Sequence, residues 1–185
     1  MAIRQIVTVD EDNPVLRQTC SPVEKVNGTV QTLIDDMVET MRGAPGMGLA
    51  APQVDVPLRV IVVEIPEEIE DPSAGKMYAL CNPEIIRTSR EIEEGQEGCL
   101  SVPDYVGLVD RHVSVVVKGL NRNGRKTRVK ASGLLARVLQ HEIDHLDGIL
   151  FIDRLTGPDK LFRAEEEEEP RESKGTEALA RMAMS

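Results

Sequence analysis

The sequence has 185 residues, of which 41% are hydrophobic and only 2% are aromatic. This is enough for one ordinary core, which aliphatic side chains must fill. The formal net charge of −10 argues against direct binding to a nucleic acid backbone. No apolar run approaches the roughly 18 residues of a transmembrane helix, and the N-terminus lacks a secretory signal pattern. We therefore expect a cytoplasmic protein with no membrane partner and no nucleic acid partner.

The first half of the chain predicts one helix and several strands. Residues 1–28 have the composition of short extended or turn segments. A helix follows and ends at Gly43, because apolar residues recur with a period of 3.6 at Val30, Leu33, Ile34, Met37, Val38 and Met41. Residues 58–65 are a continuous apolar run typical of a buried strand, and two short strands, 78–82 and 84–87, are expected around Pro83.

The second half predicts a hairpin and a second helix. Strands at 113–120 and 125–131 flank a turn whose composition is typical of hairpins. The helix runs from Ser132, a candidate N-cap, to His145, and Gly148 follows as a stop signal. Strands outnumber helices without a regular β-α-β alternation, which indicates an α+β fold with mainly antiparallel sheets.

The C-terminal part differs in composition from the rest. From Glu165 onward, seven acidic side chains stand against three basic ones. Such a like-charge run is normally solvated or disordered. We therefore divide the chain into a catalytic domain, residues 1–157, and a flexible acidic tail, residues 158–185.

A pair of histidines on the second helix is the strongest chemical signal. His141 and His145 are four positions apart, so both rings project from one helix face and can share one metal ion. Glu142 lies beside the first ligand, where it can act as an acid or base. The alternative is a pair of surface histidines near a helix end, but the chain has only three histidines.

A catalytic metal needs a third protein ligand. The metzincin pattern would place a histidine six residues after His145, but that position is Phe151, which cannot bind a metal. Downstream glutamates lie almost entirely in the acidic tail. Upstream, Cys99 is a candidate, because a thiolate suits a borderline-soft ion and Gly98 permits close backbone approach. For a cysteine taken alone, a place as a small buried hydrophobic residue is favoured, as we expect for Cys20 and Cys81, so spacing alone does not assign Cys99 as a ligand.

Three motifs together resemble one known family. They are GMGLAAPQ at residues 46–53, EGCLS at residues 97–101 and QHEIDH at residues 140–145. In order and approximate separation they are similar to the motifs of the peptide deformylases. The resemblance covers roughly residues 3–155 and leaves out the tail.

This resemblance implies a fold, an activity and a set of roles. The fold has antiparallel sheets around a central metal-binding helix, and the activity is metal-dependent removal of the formyl group from N-formylmethionine on newly made polypeptides, releasing formate. Cys99, His141 and His145 would bind the metal, which is Fe(II) in the family, although zinc, nickel or cobalt can occupy the site. Glu142 would be the catalytic acid/base, with the Gln53 side chain and the Leu100 amide as oxyanion donors.

The resemblance also implies where the substrate binds. The backbone around Met47 and Gly48 would pair with an extended peptide, beside Gly98. Leu134 and Val138, one turn apart and N-terminal to His141, would line an apolar pocket for the methionine side chain. The alternative for both is an ordinary place in the core. For Gln53 the alternative is a loop glutamine that caps its own turn.

Three features depart from the family pattern. Val106 stands where many relatives have an arginine, and Arg137 replaces an apolar residue near the pocket mouth. The acidic tail does not support ribosome association through that segment, which in some relatives is a basic helix. Two other functions remain open: a thiolate-containing zincin-like peptidase that cuts internal bonds, and a relative that binds formylated N-termini without turnover.

Overall fold

The structure, a computed structural model, describes residues 2–164. In this range the α-helices are α1 (Gly28–Arg42) and α2 (Gly133–Leu146). The strands are β1 (Gly48–Ala50), β2 (Val60–Glu64), β3 (Met77–Thr88), β4 (Ile92–Cys99), β5 (Val102–His112), β6 (Ser114–Leu120), β7 (Lys126–Ser132) and β8 (Leu161–Arg163). The described helices include none that is long and apolar enough to cross a membrane.

Helix α1 forms where the apolar period predicts it. The side chain of Asn27 caps its first turn by accepting a hydrogen bond from the Val30 N–H at 3.1 Å. At the other end, the Gly43 N–H donates to the Glu39 carbonyl. All six residues of the predicted stripe are buried. The prediction of this helix and of its end at Gly43 is confirmed.

Five strands form an antiparallel sheet in the order β1-β2-β3-β6-β7. Strand β2, between β1 and β3, is apolar from Val60 to Val63 because both of its faces are covered. Val60 and Val62 pack in the cluster that contains α1, whereas Ile61 and Val63 pack in the cluster that contains α2. A strand buried on both faces loses the usual alternation and becomes a continuous apolar run.

Strand β3 differs from the prediction of two short strands around Pro83. It is one strand with a register shift between Cys81 and Glu84, where Asn82 has a φ of +52°. The bulge accommodates the proline, which has no N–H to donate to the ladder. The Asn82 side chain stabilises it by accepting from the Val23 N–H at 2.7 Å and donating to the Val23 carbonyl at 2.8 Å.

A second antiparallel sheet, β4-β5-β8, was not predicted from the sequence. Much of β4 is exposed and acidic, so it has no apolar alternation to reveal it. Residues 158–163, which the sequence analysis placed in the tail, form a short 3₁₀ helix and then β8, which pairs with β5. The predicted flexible tail from residue 165 onward lies outside the described residues.

Helix α2 packs between the two sheets and is buried almost completely. From Val138 to Leu146 every residue is buried, and five of these are polar. Ser132 takes the predicted N-cap position, but its side chain makes no capping hydrogen bond. Buried polar groups are costly unless they are paired or functional. The α+β fold with mainly antiparallel sheets around a central helix is confirmed, and the polar stretch of this helix marks the site.

Candidate metal centre and active site

Three predicted ligands meet at one point between β4 and α2. Cys99 ends β4, and His141 and His145 lie on successive turns of α2. One donor atom from each lies within 4.8 Å of the other two, and the Cys99 Sγ is 3.3 Å from the His145 Nε2. The two imidazole rings are edge to face, with centroids 4.9 Å apart. One sulfur and two nitrogen donors suit a borderline divalent ion, so the residues fit a metal.

Both rings can offer a nitrogen to a metal, but His141 must first lose a proton. Burial lowers the pKa of His141, whereas hydrogen bonds with Cys99 and Glu97 outweigh it and raise the pKa to about 10, so an ion that binds its Nε2 would displace that proton. The Nδ1 of His141 donates to the Glu97 carboxylate at 2.9 Å, which leaves Nε2 as the ring atom for a metal. Burial lowers the pKa of His145, so its ring is neutral. Glu97 belongs to the EGCLS motif, but sequence reasoning gave it no role.

Glu97 is part of a buried network of charges that joins β4 to α2. Arg111 on β5 donates twice to Glu97, at 2.9 and 3.0 Å, and once to Asp144 at 2.6 Å. Burial raises the pKa of Glu97, but hydrogen bonds from His141 and Arg111 outweigh it and bring the pKa to about 2. At the more exposed end of this network, Arg154 donates to the Asp144 carboxylate at 2.6 Å. This network fixes the strand that carries Cys99 against the helix that carries both histidines.

Glu142 lies in the cavity next to the ligands and is only 4% exposed. Its Oε2 is buried without a hydrogen-bond partner among the described residues, as expected of a group that acts on a bound reactant. Burial raises its pKa to about 7. A Cβ at Gly48 would lie within 2.8 Å of the Cγ and Cδ of Glu142 and closer still to its Oε1. A glycine is therefore required opposite this carboxylate.

The two ends of the Gln53 side-chain amide have different partners. Its Oε1 accepts the Ala50 N–H at 2.8 Å, so it does cap its own turn. Its Nε2 points the other way, 3.2 Å from the Ser101 Oγ and 3.5 Å from the Cys99 Sγ. The cap thus holds the amide N–H₂ group beside the metal ligands.

A cavity of about 290 Å³ opens beside the triad. Most of the predicted site residues line it: Met47, Gly48, Gln53, Gly98, Cys99, Leu100, Leu134, Val138, His141 and Glu142. Leu134 and Val138 also pack with the main core, so they are core residues that face the cavity. A Cβ on Gly98 would meet Val106 at an ordinary 3.5 Å, so the described residues do not require a glycine there.

Other predicted residues lie outside the site. Phe151 is not a ligand: it is buried in a small core cluster, and its ring stacks on that of His141 with centroids 6.3 Å apart. Cys20 and Cys81 are buried, and burial raises the pKa of each thiol to about 11, so neither is a reactive thiolate.

The comparisons with known proteins agree with this geometry. Residues 3–161 match the family described as polypeptide deformylase. The chain belongs to the peptide deformylase family. It is 49% identical over 175 residues to the peptide deformylase of Thermomicrobium roseum, covering 94% of this chain and 98% of that one. It is 50% identical over 155 residues to that of Syntrophobacter fumaroxidans, covering 84% of this chain and 88% of that one.

Solved peptide deformylases share the fold. The Ehrlichia chaffeensis protein in complex with actinonin has a TM-score of 0.78 and 44% identity, over 84% of this chain and 90% of that one. The Acinetobacter baumannii protein bound to Met-Ala-Ser has a TM-score of 0.76 and 36% identity, over 83% and 99%. Peptide deformylases remove the formyl group from the N-terminus of newly made polypeptides in a metal-dependent reaction, and this is the activity of the chain.

Proposed function

We propose that Cys99, His141 and His145 bind the metal ion of this peptide deformylase, and that ferrous iron is the resident ion. The convergence of their donor atoms supports the ligand set. A site with one thiolate and two imidazoles binds zinc more strongly than iron, so iron occupies it through availability in the cell. We also propose a cytoplasmic location, where new polypeptides are made.

Metal analysis of protein prepared without oxygen tests the ion, because cysteine-ligated Fe(II) is easily lost to oxidation. We expect close to one iron per chain. Stoichiometric zinc, nickel or cobalt would show that the choice of iron is wrong, and a protein without metal would show that the ligand set is wrong.

Glu142 is the residue that moves the proton. An ion held by the three ligands would polarise the formyl carbonyl and lower the pKa of a water molecule. Glu142 accepts the proton of the attacking water and then delivers it to the nitrogen of the departing peptide. A pKa of about 7 lets one carboxyl group do both near neutral pH.

Two donors stabilise the negative charge that develops on the formyl oxygen. They are the Nε2–H group of Gln53, which its own cap holds in place, and the backbone N–H of Leu100 on the cavity lining. Loss of one such donor typically costs about 2.7–4 kcal/mol of transition-state stabilisation.

The peptide binds along β1. This strand lies at the edge of its sheet, with β2 on one side, so an extended peptide can pair with the backbone at Met47 and Gly48. Backbone pairing places few demands on the later side chains of the substrate. The first side chain enters the cavity beside Gly98, Leu134 and Val138. The Acinetobacter baumannii relative is solved with Met-Ala-Ser bound, which agrees with a methionine at the first position.

The buried, unpartnered Glu142 carboxylate beside three convergent ligand atoms is the observation that carries these assignments. The test is the Glu142→Gln variant, for which we expect formate release from a formyl-Met peptide to fall about 10²- to 10⁴-fold. Metal content should stay unchanged. Glu24→Gln, the same change at an exposed position, is the control and should retain full activity.

The same assay separates the alternatives. A zincin-like peptidase would cut an unblocked peptide at internal bonds, whereas the proposed site leaves that peptide intact. A protein that only binds formylated N-termini would release no formate even with metal present. Unchanged formate release by Glu142→Gln would show that the assigned acid/base is wrong.

A further inference from the structure

Arg137 lines the cavity, and hydrogen bonds hold its guanidinium group in place. It lies on α2 one turn before His141, and its side chain is 14% exposed. Its Nη1 donates to the Val109 carbonyl at 2.8 Å and to the Glu97 carboxylate at 3.1 Å. Its Nη2 donates to the Glu93 carbonyl at 2.7 Å. The arginine therefore spans from the central helix to strands β4 and β5.

A glycine on β4 makes room for this side chain. A Cβ at Gly95 would lie 2.7 Å from the Cζ and Nη2 of Arg137 and 2.9 Å from its Nε. Its three nearest atoms all belong to Arg137, and contacts this short do not occur in real structures. The guanidinium thus lies close to the β4 backbone at a point where a side chain on residue 95 would displace it.

An arginine held in this way does not change rotamer easily, so it forms a rigid part of the cavity lining. An unrestrained long side chain can change rotamer to admit a larger ligand, but here a move would break the ion pair with Glu97 and several hydrogen bonds to carbonyl groups. Arg137 lines the same cavity as Leu134 and Val138. Its stem consequently sets how far that cavity extends toward β4.

We propose that Arg137, held in place over Gly95, limits the size of the first substrate side chain. This rests on the proposed function, in which the cavity receives that side chain. Arg137 is then a specificity-determining residue rather than a catalytic one. Its contact with Glu97 alone would give it a purely structural role, which the experiment must distinguish.

The test compares two substrates that differ by one methylene, a formyl-Met peptide and the matching formyl-ethionine peptide. In Arg137→Ala the enlarged cavity should raise kcat/KM for formyl-ethionine relative to formyl-Met about tenfold or more. Loss of metal or of folded protein scales both constants equally and leaves their ratio unchanged. A ratio within twofold of wild type would overturn the proposal. Arg137→Met, which keeps the length of the stem and loses the hydrogen bonds, should give an intermediate ratio.

A substitution at Gly95 provides the second part of the experiment. Gly95→Ala should push the guanidinium off β4 into the cavity, raise KM for formyl-Met and shift the ratio against formyl-ethionine. In the Arg137→Ala background the same substitution should have no effect on the ratio, because the atoms that it displaces are gone. Equal effects in the two backgrounds, or no effect in either, would contradict the proposal.

Gly107→Ala is the control for general crowding. A Cβ there would lie 2.7 Å from the Leu155 Cδ2 and 2.9 Å from Phe151, away from Arg137. It should lower thermal stability and leave the substrate ratio unchanged; an equal shift in the ratio would assign the Gly95 effect to destabilisation. Wild-type protein that releases no formate from either peptide would refute the proposed function itself, whereas active variants with unchanged ratios refute only this inference.

Discussion

Gly48 and Glu142 are in close contact, which leaves no room for a side chain at position 48. The carboxylate occupies the space that a side chain at position 48 would need. Gly48→Ala should therefore displace Glu142 and lower kcat about 100-fold, because displacements near 1 Å can have effects of that size. Steady-state formate release measures this. Gly28→Ala, where nothing lies within 4 Å of the new Cβ, should keep full activity. Wild-type kcat in Gly48→Ala would contradict the close approach.

Substitutions at Gln53 can separate its capping hydrogen bond with the Ala50 N–H from its proposed role as a donor to the formyl oxygen. Gln53→Glu keeps an oxygen for the Ala50 N–H but replaces the Nε2–H donor with an oxygen. We expect kcat to fall about 10²- to 10³-fold, with some loss of thermal stability because the new carboxyl group is buried. Gln53→Ala, which also loses the cap, should be less stable as well as inactive. If Gln53→Glu keeps wild-type kcat, the side chain serves the turn alone.

At the residue scale, the sequence was informative where the partners are close in the chain. His141 and His145 follow from helical periodicity alone. Cys99 required the family motif, because its partner His145 lies 46 positions away. Arg111 gave no signal, since its contact with Asp144 depends on how β5 lies against α2. Glu97 was inside a recognised motif, so its hydrogen bond to His141 could have been proposed as support for a ligand.

At the scale of elements, the N-terminal segment is fastened to α1 by one carboxylate. Asp36 accepts the Ala2 N–H at 2.8 Å and two N–H groups of Arg4 at 2.9 and 3.1 Å. The Ala2 N–H and then Arg4 hold the pKa of Asp36 below its ordinary value, despite the burial that would raise it. The ionised form is therefore the one that stabilises the fold.

Asp36→Asn should lower the free energy of unfolding by about 1–2 kcal/mol at pH 7, in the lower part of the usual range because Arg4 is partly exposed. A depressed pKa stabilises above the unfolded-state value of about 4, and this stabilisation is lost as the pH falls through the folded-state value. The difference between variant and wild type should thus be constant from pH 6 to 8 and shrink below about pH 4. Urea unfolding at several pH values measures it. A difference that grows in acid would contradict this sign.

Elements with apolar periodicity were predictable, and those without it were not. Helix α1, strand β2 and the β6–β7 hairpin follow from their patterns because each buries a regular set of side chains. Strand β4 has mostly charged and glycine residues, and its place depends on the long β5 beside it. The side chains of Glu93 and Glu94 are exposed, whereas Glu97 is buried against α2, and Gly95 leaves room for an arginine from that later helix.

For the whole molecule, the five-stranded sheet is covered unevenly. Helix α1 packs on β1, β2 and β3, and among the described elements no helix covers the same face of β6 and β7. The exposed side chains on that face are Lys118, Lys126, Arg128 and Lys130. Lys118 is directly opposite Arg128 on one side, and on its other side it forms an exposed ion pair with Glu84 on β3 at 2.9 Å.

Like charges placed directly opposite destabilise a strand pair. Arg128→Glu should therefore raise the free energy of unfolding by about 0.2–1 kcal/mol at low salt, with a smaller gain at 1 M salt because of screening. Arg125→Glu makes the same charge change in the hairpin turn, without a cross-strand partner, and should gain less. Denaturant titrations at two salt concentrations measure both. Equal gains would mean that general charge relief, rather than the opposed pair, is responsible.

The placement of the ligand set on two layers has a thermodynamic consequence. An ion held by the proposed ligands Cys99, His141 and His145 would cross-link the small sheet to the central helix, and it would bind the folded chain more tightly than the unfolded one. Stability then becomes a function of free ion concentration, rising by about 1.4 kcal/mol for each tenfold increase above the dissociation constant. Thermal scans in metal buffers should follow this slope, and Cys99→Ala should flatten it. The thermal midpoint of the protein would accordingly depend on the free metal concentration as well as on the amino-acid sequence.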